Sequence, residues 1–321
     1  MQQTLPETSW RPGPRNAITD VPGIRVGHHP DRRGRTGCTV ILCEDSIGAA
    51  VDVRGGAPCT RETDVLSPAN VVRKCHAVVF SGGSAFGLAS AQGVMRYLAD
   101  HDIGFPTTAR KIPIVSAAVL YDLGVGDPMA FPGDEAGYTA ARRAKRGAVA
   151  EGSVGAGTGA TVAKLLGAEH ALKGGLGTAS VLGPRGIIVG ALVVANAVGS
   201  FFDPETGACV AGPSAEGGGY VPLPEAMERR TAAMDALLQN TTLMCVATNA
   251  KLESHELQRL AIQVHDGFAR VVAPAHTFGD GDVAFAISMG QLEIQPDDAL
   301  TIGMLASRAI EQALLRSVTR G

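Results

Sequence analysis

Three short stretches of this 321-residue chain carry residue types suited to chemistry. The first is Asn240-Thr241-Thr242, placed between a segment patterned as an exposed helix and a run of apolar strand formers. A threonine hydroxyl becomes a useful nucleophile only with a base beside it. The same tripeptide also reads as turn chemistry, because Asn tolerates left-handed conformations and Thr suits a strand start. It fits the N-glycosylation pattern as well, machinery that a chain without a signal peptide does not meet. The second stretch is His276-Thr277-Phe278-Gly279-Asp280-Gly281-Asp282, two carboxylates flanking one glycine ahead of a strand. It suits a turn closed by Asx hydrogen bonds, or an acid pair that orients or charges a nucleophile. A metal reading would recruit His265, Asp266 and His276, whose spacing is not compact. The third stretch, Gly155-Ala156-Gly157-Thr158-Gly159-Ala160, shares half of a dinucleotide fingerprint, but residues 148–154 before it make a poor strand. Lys164 follows on a predicted helix. Neither a phosphate-loop pattern nor a Gly-x-Ser-x-Gly elbow is present.

These residues need elements to hold them. Apolar runs at 38–42, 47–53, 77–80, 112–121, 187–195, 242–248 and 283–289 read as strands, several apolar enough to be buried on both faces. Helical spacing predicts helices over 84–98, 224–239, 253–272 and 297–318. Thr241 is thus expected at a helix-to-strand junction. The least regular stretches, 124–159 and 203–224, are flanked by buried-type strands and do not read as interdomain linkers. The sum is one large α/β unit over 1–321, sheets covered by helices.

Composition narrows the function classes. Hydrophobic residues make up 45% of the chain, enough for a sizeable core, and the charge balance is 28 − 31 = −3. No basic excess points to nucleic acid. The longest apolar stretch, 187–198, is too short to span a bilayer. The polar start of the chain carries no apolar signal core. Six cysteines form neither a CxxC nor an even framework and read as reduced thiols of a cytoplasmic protein.

Ordered pieces along the chain resemble one family. They are Ile18-Thr19-Asp20-Val21-Pro22-Gly23-Ile24-Arg25-Val26-Gly27-His28, Val53-Arg54-Gly55-Gly56-Ala57-Pro58 and Ser81-Gly82-Gly83-Ser84-Ala85-Phe86-Gly87-Leu88, then Val193-Val194-Ala195-Asn196-Ala197-Val198-Gly199, Asn240-Thr241-Thr242, and His276-Thr277 with Asp280-Gly281-Asp282. Together they resemble the P1 family of peptidases, which groups L-aminopeptidase/D-esterases, β-peptidyl aminopeptidases and the endo-type nylon-oligomer hydrolase.

The resemblance implies a four-layered α/β/β/α sandwich of the N-terminal-nucleophile kind, cut by its own chemistry between Asn240 and Thr241 into 1–240 and 241–321. It implies a homo-oligomer, often a tetramer, acting on a small peptide or amide without metal or organic cofactor, nucleic acid or membrane. Thr241 would then be the nucleophile and its new α-amino group the base, since that group has an ordinary pKa of about 7.7–8.0. The β-branch of Thr241 restricts χ1 and pre-aims the hydroxyl. By position, Asn196 is expected to donate to the developing oxyanion and Tyr121 to line the site as a second donor. Lys164 is tied to nucleophile activation, while Asp280 and Asp282 orient the nucleophile and balance its ammonium. The aminopeptidase branch places Ser and Glu where this chain has Asp280 and Asp282, so the likeness leans to the nylon-hydrolase branch. Three other readings stay open on the residues: an acyltransferase of ornithine-acetyltransferase type, an uncut non-enzymatic scaffold, and a metal hydrolase using His265, His276 and Asp280.

Overall fold

The computed structural model describes residues 10–230 and 240–319. Two sheets organise them. The first has strand order β1 (Arg11–Pro12), β8 (Gly175–Leu182), β9 (Ile188–Asn196), β10 (Thr241–Ala250), β11 (Val283–Leu292) and β4 (Gly48–Val53). Its neighbours are antiparallel except β10 and β11, which run parallel. The second has the order β2 (Arg25–Asp31), β3 (Thr36–Leu42), β6 (Ala77–Ser81), β7 (Val115–Val119) and β5 (Thr60–Arg61). Helices α1 (Ser90–Asp100) and α2 (Asp134–Arg142) pack on the second sheet, and α3 (Leu223–Arg229) packs through Ala226 with Leu165, Leu166 and Val221. Helices α4 (Ser254–Val271) and α5 (Asp298–Thr319) pack on the first.

Side-chain alternation shows why the layers stack in this order. Successive strand residues point to opposite faces. In β10, Met244 and Val246 join Leu260, Val264, Leu305 and Ile310 of α4 and α5. Leu243, Cys245 and Ala247 join Ile41 and Phe80 of the second sheet. A third apolar layer, with Val79, Val94 and Leu98, lies between that sheet and α1 and α2. Three cores between four layers make the α/β/β/α sandwich. The tilted ring pair Phe80–Phe285, with centroids 6.1 Å apart, bridges the two sheets.

The same parity places the candidate residues. Thr241 shares the inter-sheet face with Leu243, and Asn196 shares it with Leu192 and Val194. Asn196 and Thr241 are register partners across β9 and β10. Thr242, one residue on, takes the helix-facing side with Met244.

Several sequence expectations shift. Strand β7 is shorter than 112–121, because Pro113 has no N–H to give and the Asp122 carboxylate turns back to accept from Gly83 N at 2.7 Å. The helix expected over 84–98 opens as a 3₁₀ turn, Ser84–Ala89, and becomes α only at Ser90. Lys164 is not helical. It follows a two-residue strand, Thr161–Val162, and Ala163 at φ 58° turns the chain so that Lys164 N donates to Val198 O. Of the helix expected over 224–239, residues 231–239 lie outside the described residues. Strand β8 escapes apolar patterning because Gly175, Gly177, Thr178 and Ser180 fill it. Gly177 is needed there: a Cβ would sit 2.0 Å from Ala313 O of α5, so this helix rests directly on bare backbone. Among the described residues, no helix is long and apolar enough to cross a membrane.

Candidate active site

Thr241 is the first residue of β10 and is 5% exposed. Its hydroxyl Oγ1 donates to the carbonyl oxygen of Asn240 at 2.5 Å. The backbone N–H of Gly281 donates to that same oxygen at 2.8 Å, and Asn240 N donates to Gly279 O at 3.3 Å. Residues 240 and 280 thereby form an isolated parallel bridge. The carbonyl that precedes Thr241 is therefore fixed on both sides and polarised by a backbone donor, while the hydroxyl oxygen lies beside it.

The loop between α4 and β11 supplies the acids. Asp282, fully buried, accepts from Thr242 N through Oδ1 at 2.7 Å. Its Oδ2 accepts from His276 N at 3.2 Å and lies 2.9 Å from His276 Nδ1. Asp282 therefore clamps the residue after Thr241 to the neighbouring strand. His276 sits at φ 54°, and its ring meets that of His265 at 4.7 Å. His265 Nε2 reaches Asp52 O at 3.1 Å; burial first, then His276, pushes His265 down to about 4, which keeps it neutral at pH 7. Asp280 Oδ2 accepts from both N and Oγ1 of Thr277, at 2.9 and 2.5 Å. Burial, then the nearby Asp282 charge, raises Asp280 to about 6; the Thr277 hydrogen bonds and Lys164 oppose the rise.

The other side of the site comes from β9 and the turn after Val162. Asn196, fully buried, accepts from Thr161 N at 3.0 Å and donates through Nδ2 to Tyr121 O at 3.2 Å. Tyr121 meets Asn196 through its main chain, not its hydroxyl. Lys164 Nζ donates to Asn196 O at 2.9 Å. Lys164 borders a cleft and is otherwise enclosed by protein. That burial lowers its pKa to about 7, with the Asp280 charge pulling the other way. The cleft, about 260 Å³, is lined by Tyr121, Val125, Thr161, Lys164, Val198 and Asn240 among others. It borders Asn240, the residue before Thr241.

All six residues singled out for chemistry thus gather at one end of β9, β10 and β11. What sequence reasoning passed over is Gly281 as a donor and Thr277 as the clamp on Asp280. Gly281 was visible only as a spacer between two acids, and a backbone N–H leaves no mark in residue type. The metal reading loses its ligand set. Asp266 is exposed, Asp280 is held by Thr277, and His276 faces Asp282. Among the described residues, no three His, Cys, Asp or Glu side chains converge as metal ligands.

The chain is 43% identical over 306 residues to an uncharacterized aminopeptidase of Mycobacterium leprae, covering 87% of this chain and 80% of that one. It is 28% identical over 311 residues to a 6-aminohexanoate-oligomer endohydrolase of Kocuria sp., covering 93% and 84%. Its fold matches the L-aminopeptidase D-Ala-esterase/amidase of Ochrobactrum anthropi, described as a variant of the Ntn hydrolase fold. The TM-score is 0.72 at 23% identity, over 96% of this chain and 86% of the other. Residues 16–321 match peptidase family S58, and the chain belongs to that family of peptide- and amide-bond hydrolases.

Proposed function

We propose that this chain is a self-cleaving amide hydrolase whose nucleophile is Thr241, freed by opening of the Asn240–Thr241 bond. One observation carries the reading: the Thr241 hydroxyl and the Gly281 N–H both meet the Asn240 carbonyl oxygen, at 2.5 and 2.8 Å.

In the uncut chain the amide nitrogen of Thr241 cannot act as a base. Lys164, with its pKa near 7, is the group that takes the hydroxyl proton. Oγ1 adds to the Asn240 carbonyl carbon, and the oxygen gathers charge against Gly281 N–H. The C–N bond then breaks, the proton passes to the departing nitrogen, and Asn240 is left as an ester on Oγ1. Water opens the ester, giving a carboxylate at Asn240 and a free amine at Thr241.

In turnover that amine replaces Lys164 as the base. It takes the Oγ1 proton as the hydroxyl attacks a substrate amide, and it returns a proton to the leaving amine. Gly281 N–H and Asn196 Nδ2 stabilise the oxyanion. Asp282 holds the strand at Thr242, and Asp280 offsets the new ammonium when it is charged. Each proton transfer uses a group of the chain itself, so chelation is expected to leave the rate unchanged.

Denaturing electrophoresis and intact mass test the proposal. The wild-type chain should resolve into 1–240 and 241–321, and the smaller product should begin Thr-Thr-Leu-Met-Cys. The Thr241→Ala protein should stay at 33.0 kDa and hydrolyse nothing. Full activity in an unsevered chain, or in Thr241→Ala, refutes the reading.

A further inference from the structure

Two glycine-rich stretches take no part in the proposed chemistry: Ser81-Gly82-Gly83 at the end of β6, and Gly155-Ala156-Gly157-Thr158-Gly159-Ala160 ahead of Thr161. Both close on one carboxylate. Asp122, 2% exposed, follows Tyr121 and accepts from Gly83 N through Oδ1 at 2.7 Å. Its Oδ2 would lie 2.1 Å from a Cβ placed on Gly82 and 2.6 Å from one placed on Gly159. Glycine is required at both positions because the carboxylate fills the space a side chain would need. Lys173 Nζ donates to Thr158 O at 2.8 Å. Burial raises the Asp122 pKa, and the Gly83 N–H and the Lys173 charge oppose the rise.

The two segments that meet at Asp122 are also the two that hold Asn196. Tyr121 O accepts from Asn196 Nδ2 at 3.2 Å, and Thr161 N donates to Asn196 Oδ1 at 3.0 Å. Leu120, just before Tyr121, is tied to the turn after β6: its N–H donates to Ser81 O and its carbonyl accepts from Ser84 N, both at 2.9 Å. Thr161 pairs with Lys173. The χ2 torsion of an asparagine is broad, so its own rotamer does not aim the carboxamide. Nδ2 carries two hydrogens, and donation of one to Tyr121 O sets the direction of the other.

We infer that Asp122 is a positioning residue for Asn196: a wedge between Gly82 and Gly159 that fixes the Tyr121 and Thr161 backbones and thereby aims the Asn196 donor at the oxyanion. The inference rests on that oxyanion forming at Thr241. Asp122 acts through Asn196 and not on the substrate, so its loss should lower kcat and leave KM in place.

Asp122→Ala and Asp122→Asn test this on the processed enzyme, with rates taken per Thr241 terminus. The substrate is the best cleaved of the L-alanyl, β-alanyl and 6-aminohexanoyl 4-nitroanilides. Asp122→Ala empties the wedge and leaves Gly83 N–H without its acceptor. It should lose about ten- to a hundredfold in kcat, the scale of a misplaced catalytic group, with KM within about threefold of wild type. Asp122→Asn keeps the shape and the acceptor for Gly83 N–H, and it should recover most of that loss. A crystal structure of the alanine variant should show Asn196 Nδ2 moved out of hydrogen-bond reach of Tyr121 O. If the alanine chain does not fold, Asp122→Ser is read by the same criteria. An unchanged kcat, a change confined to KM, an asparagine variant as slow as the alanine one, or an Asn196 carboxamide still seated on Tyr121 O overturns the positioning role and leaves the amide-hydrolase reading standing. Full activity in Thr241→Ala, or no turnover of any of the three by protein carrying the Thr241 terminus, overturns both.

Discussion

Replacing Gly281 by alanine isolates the geometry at the scissile carbonyl. Gly281 does not adopt a left-handed φ, so alanine brings no backbone strain of its own. The new methyl would sit 2.8 Å from Thr241 Oγ1 and 2.8 Å from Ala57 O, well inside the 3.4 Å at which ordinary Cβ contacts begin. Relief needs a displacement of roughly half an ångström at each contact. Either the hydroxyl swings away from the Asn240 carbonyl, or the loop retreats and takes its N–H along. A misplacement of about 1 Å costs on the order of 10²-fold in rate, and removing one oxyanion donor costs about 10²–10³-fold. Self-cleavage of Gly281→Ala should therefore slow by about 10²–10³-fold. Cell-free synthesis followed by a time course of intact mass reads this directly. Overpacking at one contact costs roughly 1–3 kcal/mol, so the variant should still unfold in one cooperative transition. A folded Gly281→Ala that cuts within threefold of the wild-type rate would show that the Gly281 contact plays no part in the reaction.

The remaining predictions concern charge and packing. Because Lys164 must be neutral to accept a proton and titrates near 7, the self-cleavage rate should rise about tenfold per pH unit below pH 7 and level off above it. Lys164→Met should abolish that rise, and an unchanged profile would remove Lys164 from the mechanism. Asp280, raised from 3.8 to about 6, binds more protons folded than unfolded between those values. In an uncut Thr241→Ala background, stability should therefore fall as pH climbs from about 4 to 6. Asp280→Asn should flatten that fall in urea titrations, and persistence of the same slope would refute the assignment. Phe285→Ala empties a fully buried site between the sheets and should cost about 3–5 kcal/mol in the same background. A cost below 1 kcal/mol would mean the two sheets do not depend on this contact.

Much of the framework was legible in the sequence because it follows from period and punctuation. The runs at 242–248 and 283–289 lie within β10 and β11, and the stripe Leu257, Leu260, Ala261 and Val264 is the buried face of α4. Such patterns survive because burial on a sheet face or helix stripe requires apolar side chains at fixed intervals. Strand β8 was hidden for the opposite reason. Gly177 is there so that α5 can touch backbone, and a residue chosen for what it lacks leaves no apolar signal. Lys164 was misplaced onto a helix because residues 160–166 have helix-compatible composition, whereas the pairing of Thr161–Val162 with Leu172–Lys173 is non-local.

By itself, the order of residues determined which chemical groups are present: a threonine after an asparagine, a pair of aspartates around a glycine, a lysine and an asparagine far upstream. It also determined the parity that sends Thr241 and Asn196 to one face of their strands. Only the tertiary structure decided that β9 pairs with β10 in the register that sets Asn196 opposite Thr241. The same packing brings Gly281 N–H onto the Asn240 carbonyl and buries the Lys164 amine enough to pull its pKa down to about 7. Those outcomes depend on long-range register and on exclusion of water, which arise from how layers pack and are written in no single stretch of sequence.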